Sequence, residues 1–382
     1  MNGINKKIFI STGELSGEVH ACRLVEDLNE QGAFELSAMG TDRLAGAGAR
    51  IVCDYRDISV TGLSEVLSKM GSIKRAFKTV KGHIAATRPD LVVLVDFPGF
   101  NMRIARYAKG LGIPVIYFIP PQIWAWRKNR VKKIRLYVDM VICILPFEKD
   151  LYIKAGVDAI YIGHPFSQTV KPTASREEFL DRAGAPRDKP ILAILPGSRE
   201  NEVARHMPVL AKVVSAVRRQ MPDISVLLPL AGNIDEKTVM PFVCEMPFVT
   251  VVKNSSHDTL AYCDTAIVAS GSVTLEAALL RTPTIIVYRV SWLSYVIARL
   301  IVHVRYIGLP NIIAGKEVFP EFIQHLDPEM IAQKALSMID KGRKGIADTI
   351  ESVNDQLTKK DSYRLAGTAV KNFLEKKTCP ST

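Results

Sequence analysis

Short, nearly unbroken apolar runs alternate with longer stretches in which apolar residues recur every three or four positions, and this rhythm holds through most of the chain. A run that is apolar throughout reads as a strand covered on both faces; the three-to-four spacing reads as a helix with one buried side. In the first half the runs predict strands at Lys7–Thr12, Glu35–Met39, Leu91–Asp96, Val115–Ile119 and Met140–Leu145. Helices are expected between them at Ser16–Gln31, Ser64–Ala86, Asn101–Leu111 and Arg127–Tyr137. In the second half the expected strands are Ile191–Leu195, Ser225–Leu230, Val249–Val252, Thr265–Ala269 and Thr284–Tyr288. The helices there are Glu200–Gln220, Ser272–Leu280, Trp292–Val302 and Pro328–Leu374, the last interrupted around Gly342–Gly345. Strands and helices in alternation make an α/β protein with parallel sheets and crossover helices.

The rhythm lapses between Gly163-His164-Pro165 and Pro190, where Pro172 and a polar stretch have the composition of a domain boundary. A chain of 382 residues is long enough for two full cores. The expectation is two doubly wound, Rossmann-like domains facing across a cleft. Residues 1–165 form the first, 166–190 a linker and 191–344 the second, with a helix near 345–375 able to pack back onto the first.

Two turns in the second half have the character of phosphate sites. Leu195-Pro196-Gly197-Ser198-Arg199 follows an apolar run, and so does Ala269-Ser270-Gly271-Ser272-Val273-Thr274, which opens the helix carrying Glu276. A strand, a small-residue turn and a helix start present backbone N–H groups to an anion, and a nearby carboxylate can accept from a ribose diol. Each turn alone is also an ordinary βα connection; two of them in one half suggest a nucleotide diphosphate.

The first half offers different chemistry. Ser11-Thr12-Gly13-Glu14-Leu15-Ser16-Gly17-Glu18 joins a strand to a helix without the G-x-G-x-x-G spacing, which argues against a nicotinamide cofactor. Asp96, in Leu94-Val95-Asp96-Phe97-Pro98-Gly99-Phe100-Asn101, stands at the carboxyl end of a buried strand, where ligands of open α/β sheets bind. Shielded by Phe97 and Phe100 it reads as a general base with a raised pKa, or else as a turn aspartate. Trp124, Trp126 and Arg127 follow another strand, and their rings suit a sugar-binding or apolar wall.

A net charge of +11 favours anionic partners. Lys69, Lys74, Arg75 and Lys78, with Leu63, Leu67 and Met70, fit either an interfacial membrane patch or a solvated helix face. Basic and aromatic residues do not interleave as nucleic-acid sites require. The six cysteines lack CxxC pairs and fit a reducing cytosol; the seven histidines form no HxxxH or HxH pair, and no metal site is expected. The N-terminus runs straight into a strand, leaving no room for a signal peptide, and Thr284–Tyr306 carries too many charges for a membrane span.

Taken together, these segments resemble the lipid-A-disaccharide synthases, glycosyltransferases of the GT-B fold. The matching stretches are Gly13–Gly17, Asp96–Asn101, Trp124-Ala125-Trp126-Arg127, Leu145-Pro146-Phe147-Glu148, Gly163-His164-Pro165, Leu195–Arg199, Ser270–Glu276, Tyr288-Arg289 and Leu309-Pro310-Asn311-Ile312-Ile313-Ala314-Gly315. They run in order from about residue 7 to 340; Glu18 departs from the aspartate common in the family and receives no chemical role.

The resemblance implies metal-independent, inverting transfer of 2,3-diacylglucosamine from its UDP donor to 2,3-diacylglucosamine 1-phosphate, giving the β-1,6 disaccharide 1-phosphate and UDP, with no cofactor. It places Asp96 as base and Ser198, Arg199, Ser270, Gly271, Ser272, Thr274, Glu276, Arg289 and Asn311 at the nucleotide. Gly13, Glu14, Ser16, Trp124, Trp126 and Arg127 fall on the sugar side. It further implies peripheral attachment to the cytoplasmic face of the inner membrane of a Gram-negative bacterium. The oligomeric state, a homodimer included, stays open. Two alternatives remain at this point: a nucleotide-sugar epimerase of the same fold, and a non-enzymatic scaffold for acidic lipid.

Overall fold

The computed structural model describes residues 6–32, 34–57, 70–122, 129–292, 295–296 and 305–378. It divides into two units, Met1–Pro165 with Lys359–Thr382, and Phe166–Thr358. Each is built on one parallel sheet. In the first the order is β3-β2-β1-β4-β5-β6-β7, from β1 (Lys6–Ser11), β2 (Phe34–Met39), β3 (Arg50–Cys53), β4 (Leu91–Val95), β5 (Val115–Phe118), β6 (Met140–Cys143) and β7 (Asp158–Tyr161). In the second it is β10-β9-β8-β11-β12-β13, from β8 (Ile191–Leu195), β9 (Ser225–Leu230), β10 (Val249–Lys253), β11 (Thr265–Ala269), β12 (Thr284–Tyr288) and β13 (Glu321–Ile323).

Alternate residues of each central strand serve opposite faces. In the first sheet Phe9, Val92, Leu94 and Tyr117 enter one core, while Ile8, Ile10, Val93, Val95 and Phe118 enter the other. Every position of β4 is buried, which is why a continuous apolar run marks it in the sequence. The strands not anticipated, β3, β7 and β13, are short and at sheet edges, and β3 and β13 have no fully buried position. Half-covered strands lack the apolar run that reveals a central one.

The stretch 166–190 is no free linker. The helix Arg176–Ala183 belongs to the second unit, and the buried Asp258 carboxylate accepts from the Thr173 N–H and hydroxyl and from the Ala174 N–H. The long C-terminal helix expected from Pro328 divides at Gly342 (φ +60°) and again near Asp361 (φ +57°). Its pieces part company: Ala347–Leu357 stays with the second unit, where Asn354 donates to the Ala278 carbonyl, and Ser362–Thr378 lies on Leu15–Gln31 of the first.

Glu18, given no chemical role above, is a buried fastener. Its carboxylate accepts from the Thr41 backbone N–H, from the Thr41 hydroxyl at 2.9 Å and from the Tyr55 hydroxyl at 2.9 Å. It thereby ties the helix after β1 to the segments following β2 and β3. Glu18→Ala strands three donors in a buried site and should cost about 2–5 kcal/mol in urea unfolding. A loss under about 1 kcal/mol would show that water or repacking replaces the carboxylate.

Candidate active site

The carboxyl ends of β1, β4 and β5 meet around Asp96. Asp96 and Phe97 both have φ +47°, two consecutive left-handed residues neither of which is glycine. Each such residue costs about 1–3 kcal/mol and persists only where neighbours hold it. Here the holder is Asn101, fully buried, whose Nδ2 donates to the carbonyls of Ser11 at 3.1 Å, Val95 at 3.2 Å and Asp96 at 2.8 Å. Its Oδ1 accepts from the Ser11 hydroxyl at 2.7 Å, and the Tyr117 hydroxyl donates to the Asp96 carbonyl at 2.7 Å. The Phe97 ring fills the space above Gly13: a Cβ there would sit 2.0 Å from the ring, so any other residue must push the ring aside.

Asp96 is hydrogen-bonded to Glu14, a partner 82 positions away that the sequence does not reveal. Burial first, then that bond and the Glu14 charge, push the Asp96 carboxyl up to about 7, while the Phe97 N–H works the other way. Two carboxyl groups bond only with a proton between them, so the pair takes up a proton far more readily than a free aspartate. The Ser16 hydroxyl donates to Glu14 Oε1 at 3.1 Å. Gly13, Glu14, Ser16 and Asp96 are thus assembled in one place; Trp124, Trp126 and Arg127 lie outside the described residues.

In the second unit Gly197 (φ +134°) turns the chain after β8. Glu202, one helical turn on, already engages this turn: its Oε2 accepts from the Ser198 N–H at 3.1 Å and its Oε1 from Arg199 at 2.9 Å. An anion entering here meets donors held in place by a carboxylate that it must displace. After β11, Ser270 is half-buried while Gly271 and Ser272 are exposed. Thr274 turns inward, its hydroxyl on the Gly271 carbonyl at 2.7 Å, and so shapes the turn rather than facing a ligand. Glu276 pairs with His257 at 3.3 Å, and this bond raises the histidine pKa against the opposing effect of burial.

Two further residues come from after β12 and beyond. The Arg289 N–H donates to buried His206, and its side chain is exposed on the wall of an open cavity of about 580 Å³ shared with Arg205, Ser291, Trp292 and Gln324. Asn311 corrects an expectation. It is fully buried, its Oδ1 accepting from Val318 and Phe319 and its Nδ2 donating to the Phe319 carbonyl and to Glu321, so its amide is used up in shaping the chain. His206, His257 and Glu202 were missed. A lone histidine on the apolar side of a helix, between Val203 and Leu210, was the available signal for the first.

Of the basic and apolar patch, Lys74, Arg75 and Lys78 are exposed with Met70, while Ile73 and Phe77 pack into the first unit's own core. Leu63, Leu67 and Lys69 lie outside the described residues. Among the described residues no helix is long and apolar enough to cross a membrane.

Two units, each an α/β fold on a parallel sheet with turns at its strand ends, make the GT-B fold, and solved structures agree with it. A Staphylococcus aureus protein solved with UDP aligns at TM-score 0.68 and 14% identity, covering 99% of both chains. A glycosyltransferase from Rickettsia africae aligns at TM-score 0.62 and 13% identity over 98% of this chain and 100% of that one. The model of the lipid-A-disaccharide synthetase family matches residues 8–373, and the lipid-A-disaccharide synthase of Syntrophus aciditrophicus is 39% identical over 98% of this chain and all of its own length. The chain belongs to the lipid-A-disaccharide synthase family. It is a glycosyltransferase of lipid A disaccharide synthesis, with a nucleotide sugar and a lipid acceptor as substrates.

The raised Asp96 pKa has a consequence for stability. A folded carboxyl that holds its proton more tightly than an unfolded one makes the fold less stable as pH rises from about 4 through about 7. Asp96→Asn removes that loss. It should therefore be about 1–3 kcal/mol more stable than the parent at pH 8 and no more stable at pH 4, by urea unfolding. An equal effect at both pH values would remove the titration from the explanation.

Proposed function

We propose that the protein moves 2,3-diacylglucosamine from UDP-2,3-diacylglucosamine to 2,3-diacylglucosamine 1-phosphate, releasing the β-1,6 disaccharide 1-phosphate and UDP. An α-linked donor and a β-linked product require one displacement and one base. Asp96 takes the proton from the acceptor 6-hydroxyl; what supports this role is the place of its carboxyl at the end of β4 against Glu14, where burial and the second acid raise its pKa. Gly13, Glu14 and Ser16 line the acceptor side, with Trp124, Trp126 and Arg127 as further sugar contacts. The second unit holds the donor: Ser198, Arg199, Arg289 and the Ser270–Ser272 turn take the diphosphate and steady the departing UDP in place of a metal ion. Glu276 accepts from the ribose.

The same reading has the enzyme peripheral on the cytoplasmic face of the inner membrane. Met70, Lys74, Arg75 and Lys78, with Leu63, Leu67 and Lys69, supply the contact with anionic head groups, each cation worth about 1 kcal/mol near such a surface.

Incubating the protein with the UDP donor, with and without the sugar-lipid acceptor, tests the reaction directly. Disaccharide and UDP should form only with both. Asp96→Asn should lower turnover about 10²–10⁴-fold with UDP affinity unchanged within about twofold, and a variant keeping a third of the activity would acquit Asp96. Glu276→Ala should weaken UDP binding by about 1.5–3 kcal/mol in calorimetry, whereas an unchanged affinity returns Glu276 to a purely structural pairing with His257.

A further inference from the structure

His206 lies on the helix Glu200–Gln220 with no solvent exposure. Its Nδ1 is 2.7 Å from the Pro196 carbonyl oxygen, and its Nε2 accepts from the Arg289 backbone N–H at 3.0 Å. A carbonyl only accepts and a backbone amide only donates, so the ring carries its proton on Nδ1 and is neutral. One imidazole therefore joins the turn after β8 to the segment after β12. Gln324 holds the same segment from the other side: its amide accepts from the Val290 N–H at 3.2 Å and donates to the Val290 carbonyl at 3.1 Å.

We propose that His206 is a positioning residue for diphosphate recognition, its imidazole holding the Gly197–Arg199 turn and Arg289 at one fixed separation so that both meet the same ligand. The proposal rests on the assignment of the nucleotide to this unit. Loops that are already linked lose less freedom when they close on a ligand, so the link raises affinity for whatever both loops touch. Here that is the phosphates and not the base. The charged groups facing the ring are Glu202 and Arg205 from its own helix and Arg289 from the segment after β12, with the Tyr288 ring 6.2 Å away. Burial, helped by the Arg205 and Arg289 charges, outweighs the Pro196 hydrogen bond and Glu202 and lowers the ring's pKa, which keeps the Nε2 lone pair available at neutral pH.

Two substitutions separate the two bonds. An asparagine amide reaches about as far as Nδ1, and a glutamine amide about as far as Nε2. His206→Asn, which gives up the Arg289 link, should weaken UDP binding about five- to tenfold at pH 8, the worth of one hydrogen bond, and leave uridine binding within about twofold. His206→Gln, which offers its oxygen to the Arg289 N–H but gives up the Pro196 bond, should weaken UDP binding by a similar factor, because losing either bond unties the turn from Arg289. Both variants folding with unchanged UDP affinity, or both losing UDP and uridine alike, overturns the proposal. Should neither fold, nitrogen-15 shifts of the parent ring decide: UDP is expected to move the Nε2 signal more than uridine does, and equal or absent shifts overturn it. A parent protein that binds no UDP instead defeats the nucleotide assignment on which the proposal stands.

Discussion

The buried amide of Asn101 ties the end of β1 to the end of β4, and the rest of the first unit's chemistry depends on that tie. Parallel strands end with carbonyls that have no neighbour to pair with, and Asn101 collects three of them. The same contact holds the left-handed Asp96–Phe97 turn, and the turn brings a carboxyl group up against Glu14. Without a donor at this point the backbone would relax toward ordinary dihedral angles, and the two acids would no longer be forced together. A neutral, buried side chain therefore governs the ionisation of an acid that it binds only through the backbone.

The second unit solves the corresponding problem with other groups. Its turns after β8, β11 and β12 are each satisfied internally, by Glu202, by the Thr274 hydroxyl and by His206 with Gln324. The backbone of these turns is thus shaped by the protein's own groups before any ligand arrives. The fold is common to enzymes of several kinds; these local pairings make the site.

The fold was legible where strands are covered on both faces. β4 and β8 are buried throughout and declare themselves as unbroken apolar runs, but β3 and β13, half-exposed at the edges, carry no such mark. Where the strands end was legible too, because Asp96 and the small-residue turns stand directly after the apolar runs. What those residues touch was not legible. The Glu14–Asp96 bond spans 82 positions and depends on how two loops curl; the Asn311 amide looks the same in sequence whether it faces a ligand or, as here, four groups of its own chain. The polar composition of 166–190 signalled a linker, yet the buried Asp258 carboxylate and the Tyr262 hydroxyl hold Thr173 and Ala174, and Phe179 and Leu180 are buried.

The return of the chain to its first unit bears on how the protein is made. Ala366, Val370 and Leu374 complete the same core layer as Ala21, Leu24, Val25 and Leu28, so the second unit is an insertion within the first. A ribosome releases the whole of Phe166–Thr358 before it releases the helix that closes that layer. The second unit can finish folding while the first still shows an open apolar face. During synthesis, the half of the molecule that begins first is completed last, and over that interval it is the half that a chaperone has reason to hold.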